Sequence, residues 1–247
     1  MSAAELILIR HGESLGNAAA AAAEAAAAEV ITIDRRDADV ELSPTGVAQA
    51  QALGGGLHPI LGGDGQPTLV FSSPYLRAIQ TAQLSLEVAG FPLPIRIDER
   101  LRDRELGVLD LLTWRGVQAR YPIEAERRNW LGKYYHRPPG GESWADVALR
   151  LRSFLRDLTD VPDGSRAVVF CHDAVVLLFR AVCEGLTEQQ VLNIGATTPV
   201  LNVSISRLAA QPDGTWRLVR YNDVRHLEQS GIQVTEHSGS PDVQAAH

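Results

Sequence analysis

The residues able to do chemistry gather in three short segments. The first is Arg10-His11-Gly12-Glu13-Ser14, with Asn17 six residues beyond His11. The second is Ser73-Pro74-Tyr75-Leu76-Arg77, continuing into Gln80-Thr81-Ala82, and the third is Cys171-His172-Asp173. A guanidinium fork matches phosphate oxygens two at a time. An imidazole serves as nucleophile, base or cation near neutral pH, and a carboxamide adds a neutral donor. Brought together, Arg10, His11, Arg77 and His172 would form a phosphate pocket with a nucleophile inside it, and Asn17 is near enough in a tight loop to donate to the same anion. Phosphoryl transfer suits such a set, because it asks for positioning and charge neutralisation more than elaborate covalent machinery.

Each segment follows an apolar run suited to a buried parallel strand, over residues 6–9, 69–71 and 167–170. Ligands of open α/β sheets sit beyond the carboxyl ends of the strands. A glycine there, such as Gly12, lets backbone approach a ligand. Helices expected to open at Pro74 and at Ala174 would aim their first N–H groups at an anion. A short strand is expected over 95–97, and a hairpin from 203–205 to 216–221 around Pro212-Asp213-Gly214. The alanine-rich stretch 18–28 has high helix propensity and little to bury. Ser43-Pro44 starts a helix with Val47, Ala50 and Leu53 on its apolar face, and Gly54-Gly55-Gly56 is expected to stop it. Ser143 caps an amphipathic helix carrying Trp144, Val147, Leu151, Phe154 and Leu158 on one face, and Thr187 with Gln190 has capping-box spacing. The expected fold is α/β: a three-layer sandwich with a mostly parallel central sheet, helices on both faces and a small helical insertion at about residues 113–140. One domain is expected over residues 1–233, with residues 234–247 as a disordered polar tail.

The chain has 247 residues and a formal charge of −7, with Lys133 its only lysine. That acidity argues against nucleic acid as a partner, and no apolar run is long enough to cross a bilayer. Two cysteines in apolar surroundings, Cys171 and Cys183, and an N-terminus without signal-peptide character point to a cytoplasmic protein. Paired His/Cys ligand spacing is absent and no glycine frame surrounds Lys133, so neither a metal site nor a P-loop is expected. The expected partner is a small phosphorylated substrate, with no cofactor.

The motifs Leu-x-Arg-His-Gly-Glu-Ser-x-x-Asn over residues 8–17, Ser-Pro-x-x-Arg-Ala-x-Gln-Thr-Ala over 73–82, Gly-Gly-Glu-Ser over 140–143 and the strand-end His172 occur in this order. In them the chain resembles the histidine phosphatase superfamily, the phosphoglycerate-mutase-like enzymes, from Leu6 to about His226. The resemblance implies that His11 is phosphorylated and that Arg10, Asn17, Arg77 and His172 bind the transferring group. A neutral His11 with one ring nitrogen held by a backbone carbonyl, and a protonated His172, complete that expectation.

The proton donor is a separate question. Phosphatases of this superfamily often read Leu-x-Glu-x-x-x-Gly, and the corresponding stretch here is Leu101-Arg102-Asp103-Arg104-Glu105-Leu106-Gly107. The spacing to Gly107 selects Asp103 as general acid and leaves Glu105 as an ion-pair partner for a neighbouring arginine. Glu105 is the alternative acid, since neighbours two apart in extended chain point the same way.

Other readings compete. The main one is a phosphoglycerate mutase, but the Gly-Trp-x-Asp and Arg-His-Tyr-Gly segments of the mutases are replaced here by Asp34-Arg35-Arg36-Asp37 and Arg104-Glu105-Leu106-Gly107. Arg35 or Arg36 is a candidate contact for a second anionic group, or else part of a solvated charge run. Gly12-x-Ser14-x-Gly16 fits a serine-hydrolase elbow but leaves the arginines without a role. A non-catalytic phosphate-binding domain is suggested by Asp173, where the family pattern has glycine; the preferred role for Asp173 is to cap the helix starting at Ala174.

Overall fold

The apolar runs form strands covered on both faces. The computed structural model describes residues 3–62 and 65–237. Its elements run β1 (Ala3–Arg10), α1 (Leu15–Ala25), α2 (Pro44–Leu61), β2 (Thr68–Ser72), α3 (Leu76–Ala89), β3 (Ile95–Ile97), α4 (Trp114–Arg120), α5 (Pro122–Tyr135), α6 (Trp144–Asp157), β4 (Ser165–Cys171), α7 (Asp173–Glu184), α8 (Glu188–Thr197), β5 (Ile205–Ala210), β6 (Trp216–Asp223) and α9 (Arg225–Ser230). The sheet order is β3-β2-β4-β1-β5-β6. β1 and β2 both pair in parallel with β4, β3 pairs in parallel with β2, and β5 runs antiparallel to β1 and β6.

Alternation along the strands divides the core in two. Leu6 and Leu8, with Ala167 and Val169, face α6 and α7 through Leu151, Phe154, Leu178 and Phe179. Ile7 and Ile9, with Val168 and Phe170, face α2 and α3 through Leu53, Leu57, Ala82 and Leu86. Each fully buried leucine or isoleucine contributes about 2 kcal/mol. The sheet is thereby held rigid where β1, β2 and β4 end together, with Arg10 opposite Cys171 and Ser72 opposite Phe170.

Several expectations change. Helix α2 does not stop at Gly54-Gly55-Gly56 but continues to Leu61. Two of these glycines admit neighbours: a Cβ on Gly54 would lie 2.6 Å from Val88 Cβ, and one on Gly56 2.8 Å from His226 Cβ. Tertiary packing thus overrides the low helix propensity of glycine, and Val47 is exposed while Leu57 and Leu61 are buried. Pro74 precedes α3, which Tyr75 caps. Asp173 is the first residue of α7, and His172 is its N-cap. The insertion is α4 and α5, with a break at Gly132. Residues 234–237, assigned to the tail from sequence, are hydrogen-bonded to the body of the protein, whereas 238–247 lie outside the described residues.

Candidate functional site

β1 delivers His11 to the sheet edge, and the backbone fixes it on both sides. Its N–H donates to the Cys171 carbonyl at 2.9 Å, and its carbonyl accepts from Asn202 Nδ2 at 2.9 Å. The next residue after Asn202, Val203, has φ 50°, a costly conformation for a β-branched residue and worth about 1–3 kcal/mol of strain. The His11 ring nitrogen Nδ1 lies 2.7 Å from the Gly12 carbonyl. A carbonyl only accepts, so Nδ1 carries the hydrogen and Nε2 keeps its lone pair. Burial first, then the charges of Arg77, His172 and Arg10, push its pKa well below the ordinary value. His11 is therefore a neutral imidazole with a free nucleophilic nitrogen.

The loop after His11 is held by Thr81, a motif residue to which the sequence assigned no role, and by Gln49, which no motif marks. The Gly12 N–H donates to Thr81 Oγ1 at 3.0 Å, and Thr81 Oγ1 donates to the Arg77 carbonyl at 2.6 Å. Gln49 Oε1 accepts from the Glu13 N–H at 2.9 Å. Gly12 has a reason within the fold as well: a Cβ there would sit 2.7 Å from the Gly46 carbonyl oxygen, so its bareness lets α2 approach.

The arginines differ. Arg10 donates through Nη1 to the Val200 carbonyl and through Nη2 to the His237 carbonyl at 2.7 Å, while its buried Nε has no partner among the described residues. Burial lowers its pKa, opposed by Asp173 and Asp103. Arg77 donates from Nη1 to the Asp37 carbonyl at 2.7 Å and to Asp37 Oδ1 at 2.9 Å, and from Nη2 to Asp37 Oδ2 and Asp103 Oδ2 at 3.2 Å each. Burial works against its charge, but Asp37 and Asp103 outweigh it and the pKa is raised.

His172 is fully buried, 5.1 Å from the His11 ring centroid to centroid. Its Nε2 is 2.8 Å from Ser73 Oγ. Its Nδ1 lies 3.3 Å from Asp103 Oδ2 without hydrogen-bond geometry, which leaves a buried ring nitrogen beside the pocket carboxylate. Burial, then Arg77, Arg150 and Arg10, depress its pKa well below the ordinary value, so His172 is neutral here rather than protonated as expected. Tyr75 packs edge-on against His172 at 5.2 Å and lies under the Arg77 guanidinium at 4.9 Å.

The two candidate acids separate. Asp103 meets both Arg77 and His172. Its loop is held by Arg150, which donates to the Asp103 carbonyl at 3.1 Å and to Glu142 of the Gly-Gly-Glu-Ser motif. Glu105 accepts from the Tyr75 hydroxyl at 2.8 Å, so its partner is a phenol and not the arginine anticipated.

The remaining candidates fall around this centre. Asn17 is the N3 residue of a capping box: its Oδ1 accepts from the Ser14 N–H at 3.1 Å, leaving Nδ2 as a donor for an anion. Ser14 Oγ accepts from the Asn17 N–H at 3.1 Å, and among the described residues its hydrogen bonds join no imidazole. Asp173, in the first turn of α7, acts on Arg10 through its charge. Arg35 and Arg36 pair with Glu41 and Asp39 as a solvated charge run. Among the described residues, no three His, Cys, Asp or Glu side chains converge as a metal ion would need.

The buried imidazoles carry a stability signature. Burial also pushes His226 down to about 4. Folded His11, His172 and His226 thus stay neutral at a pH where the unfolded chain takes up protons, below about 6.5. Unfolding then binds protons, and stability falls as pH falls through that value. The urea midpoint is expected to drop between pH 7 and about 5, above the range where exposed carboxylates titrate. A constant or rising midpoint would mean that these rings are charged in the fold.

Residues 6–224 match the family model of the histidine phosphatase superfamily (branch 1). A 2,3-bisphosphoglycerate-dependent phosphoglycerate mutase of Methylobacterium radiotolerans is 34% identical over 199 residues, covering 79% of this chain and 86% of that protein. A metal-independent phosphoserine phosphatase of Arabidopsis thaliana is 26% identical over 228 residues, covering 92% and 85% respectively. Among solved structures, a mycobacterial glucosyl-3-phosphoglycerate phosphatase complexed with VO3 superposes with a TM-score of 0.69 at 29% identity, over 90% of this chain and 100% of that one. Both phosphatases and mutases stand among these relatives.

Proposed function

Because the chain belongs to the histidine phosphatase superfamily (branch 1), we propose that it hydrolyses phosphate monoesters of small molecules, without a metal, through a phosphohistidine on His11. The observation that carries this reading is the His11 ring, tied through Nδ1 to the Gly12 carbonyl and left neutral at Nε2 among Arg10, Arg77 and His172.

Two displacements follow. Nε2 attacks phosphorus, the P–N bond forms and the ester P–O bond breaks. Arg77 and the Arg10 Nε offset the charge on the equatorial oxygens, with His172 Nδ1 and Asn17 Nδ2 as further donors. His172 Nδ1 can donate because the Ser73 hydroxyl is placed to donate a hydrogen bond to Nε2, which leaves the ring hydrogen on Nδ1. Asp103 in its acid form gives its proton to the leaving alkoxide, then as carboxylate takes one from the water that attacks phosphorus. The P–N bond breaks, phosphate leaves and the neutral imidazole returns.

Action in the cytoplasm fits two buried free thiols, with burial pushing Cys183 up to about 12 and Cys171 higher still. Mutase-type phosphoryl transfer is the second reading, favoured by the 34% identical relative from Methylobacterium radiotolerans. A panel of phosphomonoesters assayed with a chelator, and 3-phosphoglycerate assayed with 2,3-bisphosphoglycerate, separates the two. Phosphate release across the panel is the expected result. Isomerisation of the phosphoglycerate without release, or activity only after a divalent ion is restored, would overturn it.

A further inference from the structure

Asp37 lies outside the motifs that define the pocket, yet it makes the densest set of contacts to the phosphate-binding arginine. Both carboxylate oxygens and the backbone carbonyl accept from the two Nη atoms of Arg77. Those are the donors a guanidinium uses to hold two phosphate oxygens. A phosphate seated bidentately on Arg77 and the Asp37 carboxylate compete for the same hydrogens.

The two partners are unequally free to move. The Arg77 side chain is 5% exposed and begins in the first turn of α3, so it is fixed. Asp37 opens a single 3-10 turn, Asp37–Asp39, on the surface, and its side chain is 42% exposed. Releasing a half-exposed carboxylate to water costs little. The nearby positive charges would not follow it, because Arg35 pairs with Glu41 and Arg36 with Asp39.

Displaced Asp37 remains at an acidic rim. Glu105 accepts from the hydroxyl of Tyr75, whose ring lies under the Arg77 guanidinium, and Asp110 stands close enough that Asp37 and Glu105 reinforce the upward push of burial on its carboxyl. A leaving group with its own carboxylate or second phosphate meets these charges, and a neutral or cationic one does not.

We propose that Asp37 is an internal competitor for the phosphate site, displaced by the incoming phosphoryl group and then selecting against anionic leaving groups. The selectivity half rests on the hydrolase reading above; the competition half does not. It also supplies a physical reason for water to be preferred over phosphoglycerate as acceptor.

The test is titration calorimetry of inorganic phosphate into the full chain and into Asp37→Asn, Asp37→Ala and Asp34→Asn. Asp34 is in the same loop with a side chain 96% exposed, and its replacement removes the same charge. Both Asp37 variants are expected to bind phosphate about tenfold more tightly, as when a closed state holding about nine-tenths of the molecules is removed. Asp34→Asn should bind as the parent does. In turnover the competition cancels between two esters, and the ratio of kcat/KM for 3-phosphoglycerate over phenyl phosphate should rise about fivefold in the Asp37 variants through the loss of one like charge at the rim; an unchanged ratio would overturn the selectivity half. Unchanged or weaker phosphate binding in both Asp37 variants, or equal tightening by Asp34→Asn, would overturn the proposal. Phosphate affinity is read without turnover, so a protein that binds phosphate and hydrolyses no ester would sink the phosphatase reading while leaving the competition test decided.

Discussion

His11→Ala is expected to lower kcat for every phosphate monoester by on the order of 10⁴- to 10⁶-fold, the range found when a covalent nucleophile is removed. The loss should be independent of the leaving group, because both displacements pass through Nε2. Folding should survive, since the ring's one hydrogen bond among the described residues is to the adjacent Gly12 carbonyl and the backbone bonds to Cys171 and Asn202 do not need the imidazole. Ser14→Ala is the companion measurement. It removes the N-cap of α1 and should cost about 1 kcal/mol of stability while most of the activity remains. A dead Ser14→Ala beside an active His11→Ala would transfer the chemistry to the serine.

Asp103→Asn carries the second large effect, and its signature is a dependence on the leaving group. An alkoxide needs a proton as the ester bond breaks, whereas an activated aryl oxide departs without one. For alkyl phosphates kcat/KM should fall by about 10²- to 10⁴-fold, the usual worth of a positioned acid, with a much smaller fall for aryl phosphates. The asparagine keeps the size of the side chain beside Arg77 and His172, so the loss reports the proton and not the packing. Glu105→Gln preserves an acceptor for the Tyr75 hydroxyl and should show neither loss. If Glu105→Gln gave the leaving-group-dependent loss and Asp103→Asn did not, the two carboxylates would exchange roles.

The pocket was legible in sequence for a physical reason. Buried parallel strands read as continuous apolar runs, and ligands of such sheets gather at their carboxyl ends. That placed Arg10, His11, Arg77 and His172 together before any coordinates, and the spacing to Gly107 selected Asp103. What was not legible depends on contacts distant along the chain. Gln49 and Asn202 hold the His11 loop across long stretches of sequence, and nothing local distinguishes them from other polar residues; Thr81 stood in a motif, but its bond to the Gly12 N–H, 69 residues away, could not be read there. Asp37 read as part of a charge run because its partner Arg77 is 40 residues away. Gly54 and Gly56 read as a helix end because the side chains they admit, Val88 and His226, belong to other helices. The protonated His172 failed for another reason: burial disfavours the imidazolium, and the arginines that favour a phosphate add to that effect.

The measurement closest to the central claim is to trap the intermediate. The protein would be mixed with an excess of a phosphomonoester whose phosphoryl group is labelled, quenched in alkali within a turnover, digested and mapped. The account predicts one labelled peptide containing His11, its phosphoryl group stable in alkali and lost in acid, and none from His11→Ala. Label on Ser14 or on another side chain, or rapid hydrolysis with no labelled peptide at any quench time, would contradict it.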